Sequence, residues 1–156
     1  MSGPIGHTFI YNLIILFIVI VFGFLAGTMS YYKAFKINNR IVSAIEKFEG
    51  YNTNAAGNGS LDEINRVLGN FGYRLAEEDF SCPASYGDMN LLEVDSDIVG
   101  KNPYRYCIYA NNTRPREGDF YMYGVLTYMN IDLPFIEKLN IPVFTKTNMI
   151  YKFTND

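Results

Sequence analysis

Cys82 and Cys107 are the only cysteines of this 156-residue chain, and His7 is its single histidine. Two thiols set beside Pro83 and Tyr106, with one distant imidazole, do not make a tetrahedral zinc set. Their better use is a disulfide, which would close a loop of about 25 residues and stabilise the fold by roughly 3 kcal/mol in the chain-entropy model. Two reduced cysteines in a core are the alternative. Carboxylates gather at Glu77, Glu78, Asp79, Asp88, Glu93, Asp95 and Asp97. Calcium coordination needs oxygen ligands at fixed loop spacing, and the chain has no Asp-x-Asp-x-Asp-Gly run, so the cluster reads as solvated acidic surface and no metal is expected. The close pairs Glu77/Glu78 and Asp95/Asp97 have no placed acid or base beside them. With no Gly-rich phosphate loop, nucleophile elbow or His-containing triad in the sequence, the expectation is a protein that is not an enzyme and uses no cofactor.

Charge is distributed unevenly behind a net value of −3: residues 33 to 49 carry four basic and two acidic groups, and residues 50 to 156 carry nine basic and fourteen acidic ones. A nucleic-acid-binding head would need a dense basic stripe interleaved with aromatics, which this acidic segment lacks. Lys33, Lys36 and Arg40 form a basic collar. It has two readings, contact with lipid headgroups or attraction to the acidic head of a neighbouring copy.

The element that positions the collar is the N-terminal segment, whose first 32 residues contain no Asp, Glu, Lys or Arg. Phe9 to Leu25 is almost wholly apolar, and residues 8 to 30 as a helix reach about 35 Å, enough to cross a hydrocarbon core of ~30 Å. The helix does not stop there. Ala34, Ile37, Ile41, Ala44, Ile45 and Phe48 recur at spacings of three and four, so the span (1–30) continues as an amphipathic helix (31–49). Phe9, Leu13, Leu16 and Ile20, with the small residues Gly23, Ala26, Gly27 and Ser30, form a candidate helix-packing surface, because small residues let backbones approach closely. Asn12 is the only amide in the apolar run; it suits either a bond to a neighbouring helix or the membrane interface. No basic n-region and no Ala-x-Ala site accompany the run, so a cleaved signal peptide is not expected.

Orientation is contested within the sequence. Counting Lys/Arg beside the span puts the head in the cytoplasm. The cysteine pair and the sequons Asn58-Gly59-Ser60 and Asn111-Asn112-Thr113 favour an external head, which is the expectation adopted.

Residues 50 to 156 suffice for one small head domain. A loop is expected over 49 to 59, then a short helix over 61 to 69 opened by a capping box on Ser60 and Glu63 and closed near Gly69 or Gly72. Coil follows to Gly100. Alternation then predicts strands at Tyr104 to Ala110, at Asp119 to Ile131 as the central strand with Gly124 at a bulge or close approach, and from Pro142 to Phe153. A crossover is expected between Asp132 and Asn140. The result is an α+β fold in which an antiparallel meander (104–153) packs on Ile37, Ile41, Ile45 and Phe48.

A long helix that is apolar and then amphipathic, followed by a small disulfide-containing antiparallel sheet, resembles the type IV pilin superfamily. The stretches Gly124 to Pro134, Leu139 to Val143 and Thr145-Lys146-Thr147 further resemble pilin-like proteins of tight-adherence-type systems of Gram-positive bacteria. The chain departs from the family pattern: no basic leader precedes the span, and a cut after Gly6 places Tyr11 where a Glu is usual. The resemblance implies a subunit held in the membrane by its helix and then polymerised with identical copies into an extracellular filament, with pilus assembly machinery as a partner. The alternatives are a single-pass accessory subunit of a membrane complex and a membrane-anchored binding domain.

Overall fold

The computed structural model describes residues 4–51, 59–72, 81–92, 104–112, 115–133 and 136–151. The chain is α+β. Helix α1 (Pro4–Lys47) is 44 residues long, about 66 Å at the usual rise. It ends in a Schellman-type turn, where the Gly50 N–H donates to the Ile45 carbonyl and the Glu49 N–H to that of Glu46. The left-handed position of that turn is filled by Glu49, φ 51°, rather than by glycine.

Helix α2 (Ser60–Asn70) starts one residue earlier than its sequence suggests. Its cap is Gly59, whose N–H donates to Asp62 Oδ2 at 3.4 Å while its carbonyl accepts from the Glu63 N–H. Glu63 is therefore not the reciprocal capping residue. It is engaged by the Arg66 guanidinium at 2.7 Å, which holds its carboxyl below the usual carboxylate range. Ile64 and Leu68 are the buried face of this helix.

The strands are β1 (Ser85–Tyr86), β2 (Met89–Leu91), β3 (Tyr106–Ala110), β4 (Phe120–Tyr121), β5 (Tyr123–Leu133), β6 (Ile136–Lys146) and β7 (Ile150–Tyr151). Five of them form an antiparallel sheet in the order β1-β2-β3-β5-β6, and β4 pairs with β7 in a separate ribbon. Four sequence expectations change here. The strand expected to run unbroken from Asp119 to Ile131 is interrupted at Met122, so that Phe120–Tyr121 leaves the five-stranded sheet for the ribbon with β7. The segment expected to cross over is instead the body of a long hairpin, in which Ile131 pairs with Leu139 and Leu133 with Ile136. The segment expected as coil holds the β1-β2 hairpin, turned by Gly87 at φ 62°. The final strand does not run through to Phe153: β6 ends at Lys146, and Ile150–Tyr151 joins the ribbon.

Alternation along β3 and β5 sends side chains to two buried faces. Tyr106, Ile108, Ala110, Tyr121, Tyr123 and Val125 meet Ile37, Ile41, Val42, Ala44 and Ile45 of α1, with Ile64 and Leu68 of α2 in the same core. Phe48, expected in that core, is only half-buried and sits under the Lys47 ammonium at 5.2 Å, because the helix turns off at Lys47 before presenting it to the sheet. On the opposite face Met89, Cys107, Tyr109 and Leu126 form a second core, flanked by Cys82, Tyr86 and Phe144. The Cys82–Cys107 disulfide is formed, with Cα atoms 5.8 Å apart, and fastens the segment before β1 to β3. Gly124 allows this face to close: a Cβ there would lie 2.5 Å from the Phe144 ring and 2.8 Å from Met89 Sδ.

Candidate functional site

Phe9, Leu13, Leu16, Ile20, Gly23, Gly27, Ser30, Ala34, Ile37, Ile41 and Ile45 follow one another in steps of three and four, so they share one face of α1. The seam is continuous, yet its two ends differ completely. From Ala34 to Ile45 it is buried under the sheet, Ile41 and Ile45 at 0% exposure. From Phe9 to Ile20 it is bare, with Phe9 68%, Leu13 55%, Leu16 61% and Ile20 48% exposed. The bareness extends around the helix, since Phe17, Phe22, Phe24 and Met29 on its other sides are also exposed. Ala26, beside the seam, is exposed; Gly23, Gly27 and Ser30 are half-exposed.

Where the small residues fall, the seam is hollowed. Ile20, Gly23, Phe24, Gly27, Thr28 and Tyr31 line a shallow apolar groove of about 490 Å³. The Thr28 hydroxyl donates to the Leu25 carbonyl one turn back at 2.9 Å, so the helix itself satisfies the one side-chain hydroxyl in that groove wall other than the Tyr31 phenol. Nothing between Thr8 and Tyr32 ionises as an acid or base except the phenols of Tyr11, Tyr31 and Tyr32. Surface of this kind can bury against lipid or another apolar helix.

The basic collar lies on a different side. Lys33, Lys36 and Arg40, again in steps of three and four, are exposed on the flank beside the seam. Lys36 Nζ stands 5.2 Å over the Phe71 ring at the end of α2. Lys33 and Arg40 form no ion pair among the described residues.

Two residues that position the head on the helix were not singled out from sequence. Asn38 is 0% exposed within the apolar seam face, and its Nδ2 donates to the Val143 carbonyl of β6 at 2.9 Å. Its signal was present: one amide among Ala34, Ile37 and Ile41. Glu46 Oε1 accepts from the Asn148 N–H at 2.7 Å, tying the segment between β6 and β7 to the last turn of α1. Tyr121 completes the attachment by donating from its hydroxyl to the Glu49 carbonyl at 2.7 Å, and burial raises its phenol above the ordinary value.

Of the earlier candidates, Asp88 is exposed and pairs with Lys146 at 2.7 Å. Glu77, Glu78, Asp79, Glu93, Asp95 and Asp97 lie outside the described residues, as do Asn58 and Thr113 of the two sequons. The described helix α1 is long and apolar enough to cross a membrane, and none of its apolar window is buried among the described residues. In comparisons with protein-family models, curated proteins and solved structures, the chain matches no family model, no curated protein and no solved structure.

Proposed function

We propose that this chain is a pilin-like structural subunit: α1 anchors it in the cell membrane with the head outside, and identical copies then polymerise through the bare half of α1 into a type IV pilus-like filament. The observation that carries the reading is the continuous seam, covered by the chain's own head from Ala34 onward and, among the described residues, left uncovered from Phe9 to Ile20. A bulky apolar helix of this kind finds comparable burial in lipid and among identical helices, so transfer between them costs little.

The sheet edges support assembly through the helix rather than through strands. One edge is β1, only two residues long. The other is β6. Just past its end the Thr147 N–H bonds to the Tyr123 carbonyl, and alternation from that pair turns the backbone of residue 142 toward the free edge. That residue is Pro142, which has no N–H to offer an incoming strand.

A second reading, a single-pass accessory subunit, has its own observation. The groove over Gly23 and Gly27 has the spacing that seats one partner helix. Shearing intact cells separates the two. Negative-stain electron microscopy of the sheared fraction, with mass spectrometry of its main band, should find filaments made of this chain. Retention in the membrane fraction at fixed stoichiometry with unlike chains would overturn the filament reading in favour of the accessory one.

A further inference from the structure

Alternation in the β4-β7 ribbon buries Tyr121 and Ile150 and turns Phe120, Met149 and Tyr151 outward, where all three are exposed and the Phe120 and Tyr151 ring centroids lie 5.1 Å apart. Met149 and Tyr151, with Glu46 and Glu49 at the end of α1, line an open hollow of about 320 Å³ beside them. Glu46 spends Oε1 on the Asn148 N–H. Glu49 is exposed and forms no ion pair among the described residues. An apolar surface edged by carboxylates, at a helix C-terminus whose dipole adds negative potential, fits a cation carried on an apolar stem.

Cations of that kind stand on the same helix. Lys33 and Arg40 are exposed and form no ion pair among the described residues, and Tyr32 adds an exposed ring one turn before Lys36. Helix geometry keeps them from the hollow of their own copy. At about 1.5 Å and about 100° per residue, Arg40 lies about 9 Å along α1 from Glu46 and about 120° around it, and Lys33 about 20 Å along and about 140° around. Collar and hollow therefore occupy opposite flanks of the seam, so the flank of one copy is complementary in charge to the opposite flank of another.

Resting on the reading of the chain as a polymerising subunit, we propose that the hollow beside Met149 and Glu49 receives the collar of a second copy, with Arg40 against the carboxylates. The contact joins two different patches with an axial offset, so it cannot close into a ring and repeats as a helical filament. It also sets the stagger. Copies level in a bilayer hold their collars about 9–20 Å nearer the lipid than their neighbours' hollows, so the hollow of one copy meets only the collar of a copy already raised by that distance. In that step the collar exchanges lipid phosphates for carboxylates.

Charge exchange in the full-length chain tests this, read as polymer sheared from expressing cells. Glu49→Lys alone and Arg40→Glu alone should each lower the yield about tenfold or more, and the two together should restore it to within about twofold of the native chain. Both positions are exposed, so the head's denaturant midpoint should not move, and restoration by a second substitution has no explanation in a folding defect. Native yield from Glu49→Lys would overturn the contact and leave the subunit reading standing. A loss that Arg40→Glu does not repair would overturn it by showing that the hollow takes a different partner. No polymer from the native chain would overturn the subunit reading and this contact together.

Discussion

Ile18 and Ile41 are the same residue in the same helix, one 46% exposed and the other 0%. Around Ile41 the chain supplies everything the helix buries against: β3 and β5 on the seam, α2 at its flank, and the amide of Asn38 clamped to β6. Around Ile18, no described residue of the head covers the helix. Isoleucine, valine and phenylalanine are only moderate helix formers, so an apolar helix gains most of its stability from what packs on it. The comparison teaches that α1 is two structures joined end to end, one covered by the chain's own head and one that no described part of the head covers.

The sharpest way to break this comparison is to shorten the two isoleucines in turn. Ile41→Ala should cost the head about 2–5 kcal/mol through lost burial and an uncollapsed cavity. Ile18→Ala should leave the head's denaturant midpoint unchanged, because Ile18 is exposed and none of its apolar window is buried among the described residues. Equal losses would mean that the head and the bare half fold as one unit.

The disulfide gives the next largest effect. Cys82→Ala with Cys107→Ala opens a loop whose ends are 25 residues apart and removes one wall of the second core. The expected loss is about 3 kcal/mol, read by chemical denaturation of the oxidised and the variant protein in the same detergent.

Alkaline titration probes the same core. The buried Tyr109, whose hydroxyl donates to the Pro83 carbonyl at 3.0 Å, has its pKa pushed up to about 12, chiefly by burial. The unfolded chain loses this proton near pH 10 and the folded one near 12, so the contribution is complete below pH 10 and is lost as the pH rises through that window. Tyr51, Tyr123 and Tyr128 are shifted upward for the same reason and add to the loss. Near-ultraviolet circular dichroism against pH should show the head melting between pH 10 and 12 while the signal of α1 persists in detergent.

Smallest of all for the fold is charge reversal of the collar. Lys33→Glu, Lys36→Glu and Arg40→Glu together should change head stability by no more than about 0.5 kcal/mol per site, since all three are exposed. Membrane insertion should be retained and the yield of sheared polymer should collapse. Unchanged polymer would remove the collar from the assembly contacts.

Which parts of this architecture could be read from residues follows from where a single period dominates. The apolar run and the three- and four-residue steps made α1 legible to within two residues of its end, and alternation placed β3 and most of β5 with their two faces correctly separated. Pro142 misled: read as a strand start, it sits within β6 at an edge position where its missing N–H costs nothing. The β1-β2 hairpin was invisible because strands of two and three residues carry no period, and their pairing depends on the disulfide and on Tyr86 packing near Phe144, with ring centroids 4.8 Å apart. Asn38 was hidden for the opposite reason. A polar residue on an apolar stripe is legible as an anomaly, but its partner lies far along the chain in β6.

Burial of the bare half by other copies is the central claim, and position-specific labelling tests it most directly. With both native cysteines in the disulfide, Leu16→Cys and Asn90→Cys each introduce a single free thiol, the first in the uncovered seam and the second exposed on β2. Sheared material from each strain is treated with a membrane-impermeant maleimide. The account predicts that the thiol at 90 is labelled and the thiol at 16 is protected until the polymer is dissolved in denaturant. Equal labelling of both in the intact polymer would show that the copies do not bury this half of the helix, and would contradict it.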